Sequence, residues 1–504
     1  MNSEKIRKLW QKKNKILIIM LISLIIYGGW LRITSIMYEA SYWNDESHTA
    51  LFSLGIFENG IPSSPIGVSM GIYQSALFYI TALSFKIFGI TEFAGRLPSV
   101  IVGTALIGVI FIVAKRLIGE RGALIATFLM AFSQMQLAWS TQLRPYIWME
   151  LFTLLVVYWM YEYLQKKEML NKLLVYAGGV SILSLFFHGT GIYNIAIMGS
   201  VFLYQIIRLK KWNYLILLGA GGAFSVLLLS FTPFFSTSLL LKFNTYLTHY
   251  QVYLTHHYLW LGAGAAVGFV YLFWKGKREL AFLLAASIAF IILFSVLKVH
   301  DRYVRYSITA FPLLYILFAA GISGSIQLIT EKLPKKIPEL LVTGFIMIVG
   351  LAYPIYKDKI LLAPQRYYSI NADMRENPIV DYKGAFERIE RMIDGRKDVI
   401  VMDAWNDRVP WYLPNQDYVF LVQNGFGMID PFYGEVMVGT VQGFEQIKSQ
   451  SPLGIVIVEN WESMTPAELQ EYIRNTLKFE FTQETVPGKE KDPWSISIYS
   501  WGLD

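Results

Sequence analysis

The stretch "GIYQSALFYITALSFKIFGI", residues 71–90, is apolar enough to cross a bilayer and carries a single charge, Lys86. Whether it crosses decides the fold, because every later loop changes side with it. If it spans, the basic loops "KRLIGERG" (115–122), "QKKEMLNK" (165–172), "RLKKW" (208–212), "KGKR" (275–278) and "EKLPKK" (331–336) all fall outside, against the rule that short cytoplasmic loops carry the excess of Lys and Arg. If it lies on the outer surface, all five fall inside. Lys86 suits that placement, since its amine can reach the headgroups from an interfacial helix. Residues 66–90 are therefore read as re-entrant or surface-lying.

The rest of the topology follows outward from this choice. The N-terminus carries Lys5, Arg7, Lys8, Lys12, Lys13 and Lys15, which assigns it to the cytoplasm. The first apolar run then delivers "YWNDESHTA" (42–50) to the outer face. Further spans are expected near 95–114, 122–140, 146–164, 173–188, 190–207, 213–235, 258–274, 279–297, 307–328 and 338–356, about eleven in all at ~20 residues each. An odd number of crossings from an inside N-terminus leaves the C-terminus outside. The chain therefore reads as a multi-pass cell-membrane protein with an extracytoplasmic C-terminal domain.

Composition agrees with this class. Of 504 residues, 54% are hydrophobic and only 16% charged, where a soluble chain carries about a quarter, and the mean hydropathy is +0.42. The net charge of +7 is spread over short clusters between apolar runs, which points to membrane topology and not to nucleic acid. Cys is absent, which excludes disulfides, thiol nucleophiles and thiolate metal sites. The pattern changes after residue 356. "DYKGAFERIERMIDG" (381–395) is an amphipathic helix with Ala385, Phe386, Ile389, Met392 and Ile393 on one face. "DVIVMDAW" (398–405), "DYVFLV" (417–422), "GIVIVEN" (454–460) and "SISIYSW" (495–501) read as strands. "TPAELQEYI" (465–473) opens a helix, with Thr465 as cap, Pro466 in the first helical position and Glu468 closing a capping box. Two domains are expected, a transmembrane one at 1–356 and a small α/β one at 357–504.

On this topology the chemistry-bearing side chains collect at the outer face. They are the adjacent acids Asp45 and Glu46, Arg96 in "EFAGRLPS" (92–99), Arg144 and Tyr146 in "STQLRPY" (140–146), His188 at a span end, and Lys298, His300, Asp301, Arg302, Tyr303, Arg305 and Tyr306 in "KVHDRYVRY" (298–306). The last cluster breaks the charge rule, and cations on a cation-poor face suit a phosphate, which Arg holds bidentately and Tyr supports with a hydrogen bond. A carboxylate beside such a site can take a proton from an attacking hydroxyl. Blander readings stand beside these: helix-capping acids, interfacial arginines, headgroup contacts and a packed histidine. No ligand spacing marks a metal site, although the acids could hold a divalent ion.

"NDESHTALFSLGIFENG" (44–60), the stretch from "YQSALFYITALSFKIFGITEFAGRLPSV" to "STQLRPYIWMELF" (73–152) and "DRYVRYSITAFPLLYIL" (301–317) together resemble the GT-C glycosyltransferases that use lipid-linked sugars. The closest group contains the protein O-mannosyltransferases and the lipid A aminoarabinose transferase, glycosyltransferase family 39. The shared order is an acidic pair after the first span, an "FG…E…RLPS" segment, a basic "RLIGERG" turn, then "RPY", and later "RY…P". The resemblance covers about the first two-thirds of the chain. It implies a GT-C fold with surface-lying helices in the first outer loop and Asp45 as catalytic carboxylate with Glu46 its neighbour. It further implies Arg302 and Tyr303 near the donor phosphate, and Arg144 and Tyr146 lining the cavity. The donor it implies is a polyprenyl-phosphate sugar, and the reaction an inverting single displacement onto a protein, lipid or wall-glycan acceptor. The aminoarabinose transferase has a Lys-Pro-Pro segment where this chain reads "MGIYQSALFY", so sugar and acceptor do not carry over. The alternative is a transporter or flippase for lipid-linked glycans, which would need paired polar groups deep in the spans.

Overall fold

The structure, a computed structural model, describes residues 3–38, 41–71, 74–230, 247–298, 304–332, 351–352, 360, 362–363, 380–423, 427–461, 463–485 and 494–503, with side chains described from residue 15 onward except at 228–230, 298 and 332. The chain divides into two compact units. One comprises Met1–Thr34, Gly71–Leu77 and Ser99–Gln365; the other comprises Ser35–Met70, Phe78–Pro98 and Arg366–Asp504. The C-terminal tail thus groups with most of the first loop.

The first unit is helical. Among the described residues, six helices are long and apolar enough to cross a membrane: Lys15–Ile36, Glu92–Phe132, Gly189–Leu209, Leu247–Trp274, Arg278–Leu297 and Val304–Glu331. The helices used below are α1 (Ser3–Ile36), α2 (Asn44–Asn59), α3 (Ser75–Phe88), α4 (Glu92–Phe132), α5 (Gln134–Ser140), α6 (Tyr146–Leu164), α7 (Lys172–Phe187), α8 (Ile192–Leu209), α9 (Leu215–Ser230), α10 (Leu247–Trp274), α11 (Arg278–Lys298) and α12 (Phe311–Lys332). The decisive stretch forms α3, 14 residues long. At 1.5 Å per residue that is about 21 Å, short of a hydrocarbon core of ~30 Å. The 41 residues of α4 are two helices joined at Gly119, whose backbone (φ 86, ψ 175) makes the turn that "RLIGERG" suggests and that only glycine adopts without strain. The expected span at 338–356 lies outside the described residues apart from 351–352.

Two membrane helices approach closely through small residues. A methyl group added to Gly268 of α10 would run into the Leu317 carbonyl of α12, and one added to Gly321 of α12 would lie 2.6 Å from the Gly264 carbonyl. Gly264 and Gly268 form a small-xxx-small pair, which lets backbones pack where lipid supplies no hydrophobic drive.

The second unit holds a seven-stranded sheet. Its strands are β1 (Val399–Asp403), β2 (Tyr418–Leu421), β3 (Met428–Ile429), β4 (Val436–Val438), β5 (Leu453–Glu459), β6 (Lys478–Gln483) and β7 (Ile496–Trp501), in the order β3-β4-β2-β1-β5-β7-β6. β4, β2, β1 and β5 run parallel, while β3, β7 and β6 are antiparallel to their neighbours. Helices α13 (Tyr382–Ile393), α14 (Arg408–Tyr412), α15 (Val441–Gln450) and α16 (Ala467–Thr476) cover it. Val399, Val401, Ile455 and Ile457 face the apolar side of α13, with Ala385, Phe386, Ile389 and Ile393 buried as the sequence implies. Met402, Val456 and Val458 face Phe444, Leu469 and Ile473 of α15 and α16. Strands buried on both faces read as continuous apolar runs, which is why β1 and β5 are legible. The start of α16 differs from expectation by one residue. Pro466 is the cap in extended conformation (φ −56, ψ 141), its carbonyl accepting the first helical bond from the Gln470 amide, and the Thr465 hydroxyl makes no hydrogen bond among the described residues.

Replacing Gly268 by Ala should destabilise the α10–α12 pair by about 2 kcal/mol or more, since the obstacle is backbone and cannot rotate away. Gly262→Ala in the same helix has open space and should be neutral. Thermal unfolding of the detergent-solubilised variants checks both.

Candidate functional site

In the second unit, α2 begins at Asn44, so Asp45 and Glu46 occupy its first turn, where the positive end of the helix dipole favours acids. They are not solvated loop acids. Glu46 is fully buried and takes two hydrogen bonds from Arg96: Nε to Oε1 at 2.8 Å and Nη2 to Oε2 at 2.7 Å. Arg96, equally buried, also donates Nη2 to the Ser41 carbonyl at 2.8 Å and lies 4.9 Å over the Tyr42 ring. Its guanidinium is thus spent on Glu46 and the Ser41 carbonyl. Asp45 is half-buried beside it, and its carbonyl accepts from Thr49 Oγ1 at 2.8 Å.

The tail grips the same loop. The Tyr412 hydroxyl accepts from the Tyr42 amide at 2.8 Å, Ser41 Oγ accepts from the Lys383 amide at 2.7 Å, and His48 Nδ1 lies 3.0 Å from the Tyr433 hydroxyl. Lys383 Nζ reaches Glu92 at 3.5 Å. With its NH2 turned toward the carboxylate, the Asn44 amide nitrogen sits 2.7 and 2.8 Å from the two Asp407 oxygens. Behind Asp407, buried Arg408 ties Asp403, at the end of β1, to Glu459, at the end of β5. Tyr382 and Trp405 donate to the same Glu459 oxygen at 3.0 and 2.9 Å. Burial pushes Asp403 up to about 6, with Arg408 opposing and Glu459 adding to the rise. The single Arg408 guanidinium does not offset the burial of Asp403 beside Glu459. Sequence reading missed this group; its signal is an acid closing each of two apolar strands.

In the first unit, four expected residues come together. Arg144 lies in the turn before α6, Tyr146 opens α6, His188 follows α7, and Arg305 belongs to a buried 3-10 stretch, Val304–Ala310. Arg144 and Arg305 lie 5.7 and 6.0 Å over the Tyr146 ring. His188 is 5.4 Å from that ring and stacks on Tyr306 at 5.8 Å. The Thr190 amide donates to His188 Nδ1 at 3.2 Å, so the neutral ring carries its proton on Nε2. Ser295 holds Tyr306 by donating to its carbonyl at 3.1 Å. The Tyr146 hydroxyl is buried and makes no hydrogen bond among the described residues. His300, Arg302 and Tyr303 lie outside the described residues, as does the Lys298 side chain. Among the described residues, no three His, Asp or Glu side chains converge as metal ligands.

Glu46→Gln or Arg96→Leu should destabilise the protein by about 3–5 kcal/mol, because either leaves a buried charge without its counterpart; the double variant should recover part of the loss. The thermal midpoints of the three variants check this. Between the ordinary carboxylate value of 3.8 and about 6, folded Asp403 holds a proton that the unfolded chain has released. Stability should therefore be highest below that window and decline as pH rises through it, by up to about 3 kcal/mol. Asp403→Asn should flatten the decline measured by unfolding between pH 4 and 7.

Residues 76–220 match the model of the dolichyl-phosphate-mannose-protein mannosyltransferase family. No curated protein sequence matches the chain. Among solved structures, apo ArnT from Cupriavidus metallidurans superposes with a TM-score of 0.59 at 12% identity, covering 97% of this chain and 98% of that one. The same protein bound to undecaprenyl phosphate gives 0.54 at 13% identity over 96% and 97%. The oligosaccharyltransferase AglB from Archaeoglobus fulgidus, in complex with an inhibitory peptide and a dolichol-phosphate, gives 0.55 at 13% identity over 88% of this chain and 69% of its own. The chain thus shares the fold of these membrane enzymes over nearly its whole length, and residues 76–220 carry the pattern of the mannosyltransferase family.

Proposed function

We propose that the chain moves a sugar from a polyprenyl-phosphate donor to an acceptor at the outer membrane face, inverting the anomeric carbon, with Asp45 as the catalytic carboxylate. The observation that carries the reading is the Tyr146 hydroxyl, buried without a hydrogen-bond partner among the described residues, with Arg144 and Arg305 over its ring. Two cations and an unused donor suit a phosphate. The family description names a dolichyl-phosphate sugar, and the relatives ArnT and AglB are described with undecaprenyl phosphate and a dolichol-phosphate.

In this mechanism the acceptor hydroxyl gives its proton to Asp45 while its oxygen bonds to the anomeric carbon. The bond from that carbon to the phosphate oxygen breaks, and the polyprenyl phosphate leaves with the electron pair. Arg144 and Arg305 stabilise the charge growing on the phosphate, and Tyr146 and His188 Nε2 donate to it. Arg302 and Tyr303 are assigned to the same phosphate on the family resemblance alone, with Lys298 and His300 beside them in the motif. Glu46, engaged with Arg96, holds the loop and leaves the proton transfer to Asp45. The N-terminus lies in the cytoplasm and the tail outside, following the charge pattern of the loops.

The test is release of polyprenyl phosphate from a panel of polyprenyl-phosphate sugars by the purified protein with candidate protein, lipid and wall-glycan acceptors. Asp45→Asn should lower the rate by about 10²–10⁴. Arg305→Ala should raise the donor KM about tenfold or more. Equal release by wild type and Asp45→Asn would remove Asp45 from its role.

A further inference from the structure

We infer that Asp407, in the C-terminal tail, is a positioning residue for Asp45, acting through Asn44. The inference rests on the proposed function and deepens it by extending the machinery into the tail. In a doubly wound sheet, ligands bind beyond the carboxyl ends of the strands, where the strand order reverses. Here the order β2-β1-β5 places that reversal between β1 and β5. The groups at the carboxyl ends of those strands are Asp403, Asp407, Arg408 and Glu459. Asn44 of the first loop meets Asp407 there. The crevice that would hold a small ligand in a free-standing domain of this type is instead occupied by the chain's own loop.

The geometry fits a positioning device. Both Asp407 oxygens face one amide nitrogen, at 2.7 and 2.8 Å, which fixes the amide in direction as well as distance. Asn44 is the first residue of α2 and is bonded covalently to Asp45. Asp407 is fully buried, and its neighbour Arg408 is pinned by Asp403 and Glu459, so the anchor cannot drift. The charged and titratable groups around Asp407 are Arg408, Asp45, Asp403, Tyr418 and Tyr433. Burial holds its carboxyl well above the usual range, with Arg408 opposing and the nearby Asp45 adding to the rise. Protonation does not break the link, because the amide can then present its oxygen to the acid's O–H. Glu46 on Arg96 fixes the other side of Asp45. Asp45 is thereby held between two anchored neighbours.

Misplacing a catalytic group by about 1 Å costs on the order of 10²-fold in rate. Asp407→Ala should therefore lower kcat for polyprenyl-phosphate release about 10- to 100-fold, with the donor KM within about twofold. Asn44→Ala should do the same, and the double variant should be no slower than the slower single, because both remove one link. Asp407→Asn, which keeps a partner for the amide, should restore part of the rate. Asn44 is only half-buried and its replacement leaves the Asp403–Arg408–Glu459 group intact, so it carries the test should Asp407→Ala fail to fold. Wild-type kcat in Asn44→Ala, losses that multiply in the double variant, or a loss confined to KM would overturn the inference while the proposed function stands. No release by the wild type with any donor would overturn the proposed function and the inference with it.

Discussion

The second unit depends on one buried ion pair. Arg96 and Glu46 are fifty residues apart, both fully buried, and each is tolerable out of water only because the other is there. An unpaired charge at either position would cost several kcal/mol, so the pair fixes how residues 41–46 run against the start of α4. Everything proposed for Asp45 follows from that constraint. An acid in the first turn of a helix whose next residue is immobilised has little freedom of its own.

The tail repeats the same logic at larger scale. Its sheet ends in acids on the two strands flanking the reversal, and Arg408 is shared between them. A soluble relative of such a domain would leave these ends open to solvent or ligand. Here burial, Tyr382 and Trp405 close them over, and the first loop completes the cover. These contacts explain why compactness groups the tail with residues 35–70 and 78–98.

Elements whose signal is local were legible in the sequence. The apolar strands β1 and β5, the amphipathic α13 and the hinge at Gly119 each announce themselves within about a dozen residues. The cluster of Arg144, Tyr146, His188 and Arg305 was legible because each member ends or begins an apolar run at the same expected face. Arg96 shows the limit. Position along the chain marks it as a cation near a span end, but nothing in its neighbours says that it faces Glu46. The group of Asp403, Asp407, Arg408 and Glu459 showed only the acid that closes each of two apolar strands; that Arg408 reaches Glu459, 51 residues on, and that Asp407 meets Asn44 of the first loop is not displayed by the sequence. The short strands β3 and β4 carry too few residues for a period to register, and the cap of α16 was misread by one residue because Pro466 can serve at either position.

Holding an early loop with a late domain has a consequence for biosynthesis. The bond between Tyr42 and Tyr412 spans 370 residues. At about 5–20 residues per second, a ribosome needs on the order of 20–70 s to make that much chain. Throughout that interval the helices can insert and pack, but the carboxylate loop lacks its contacts with the tail. On the role proposed for Asp45, its loop takes its working shape only once residues 366–504 have been made and have folded onto it.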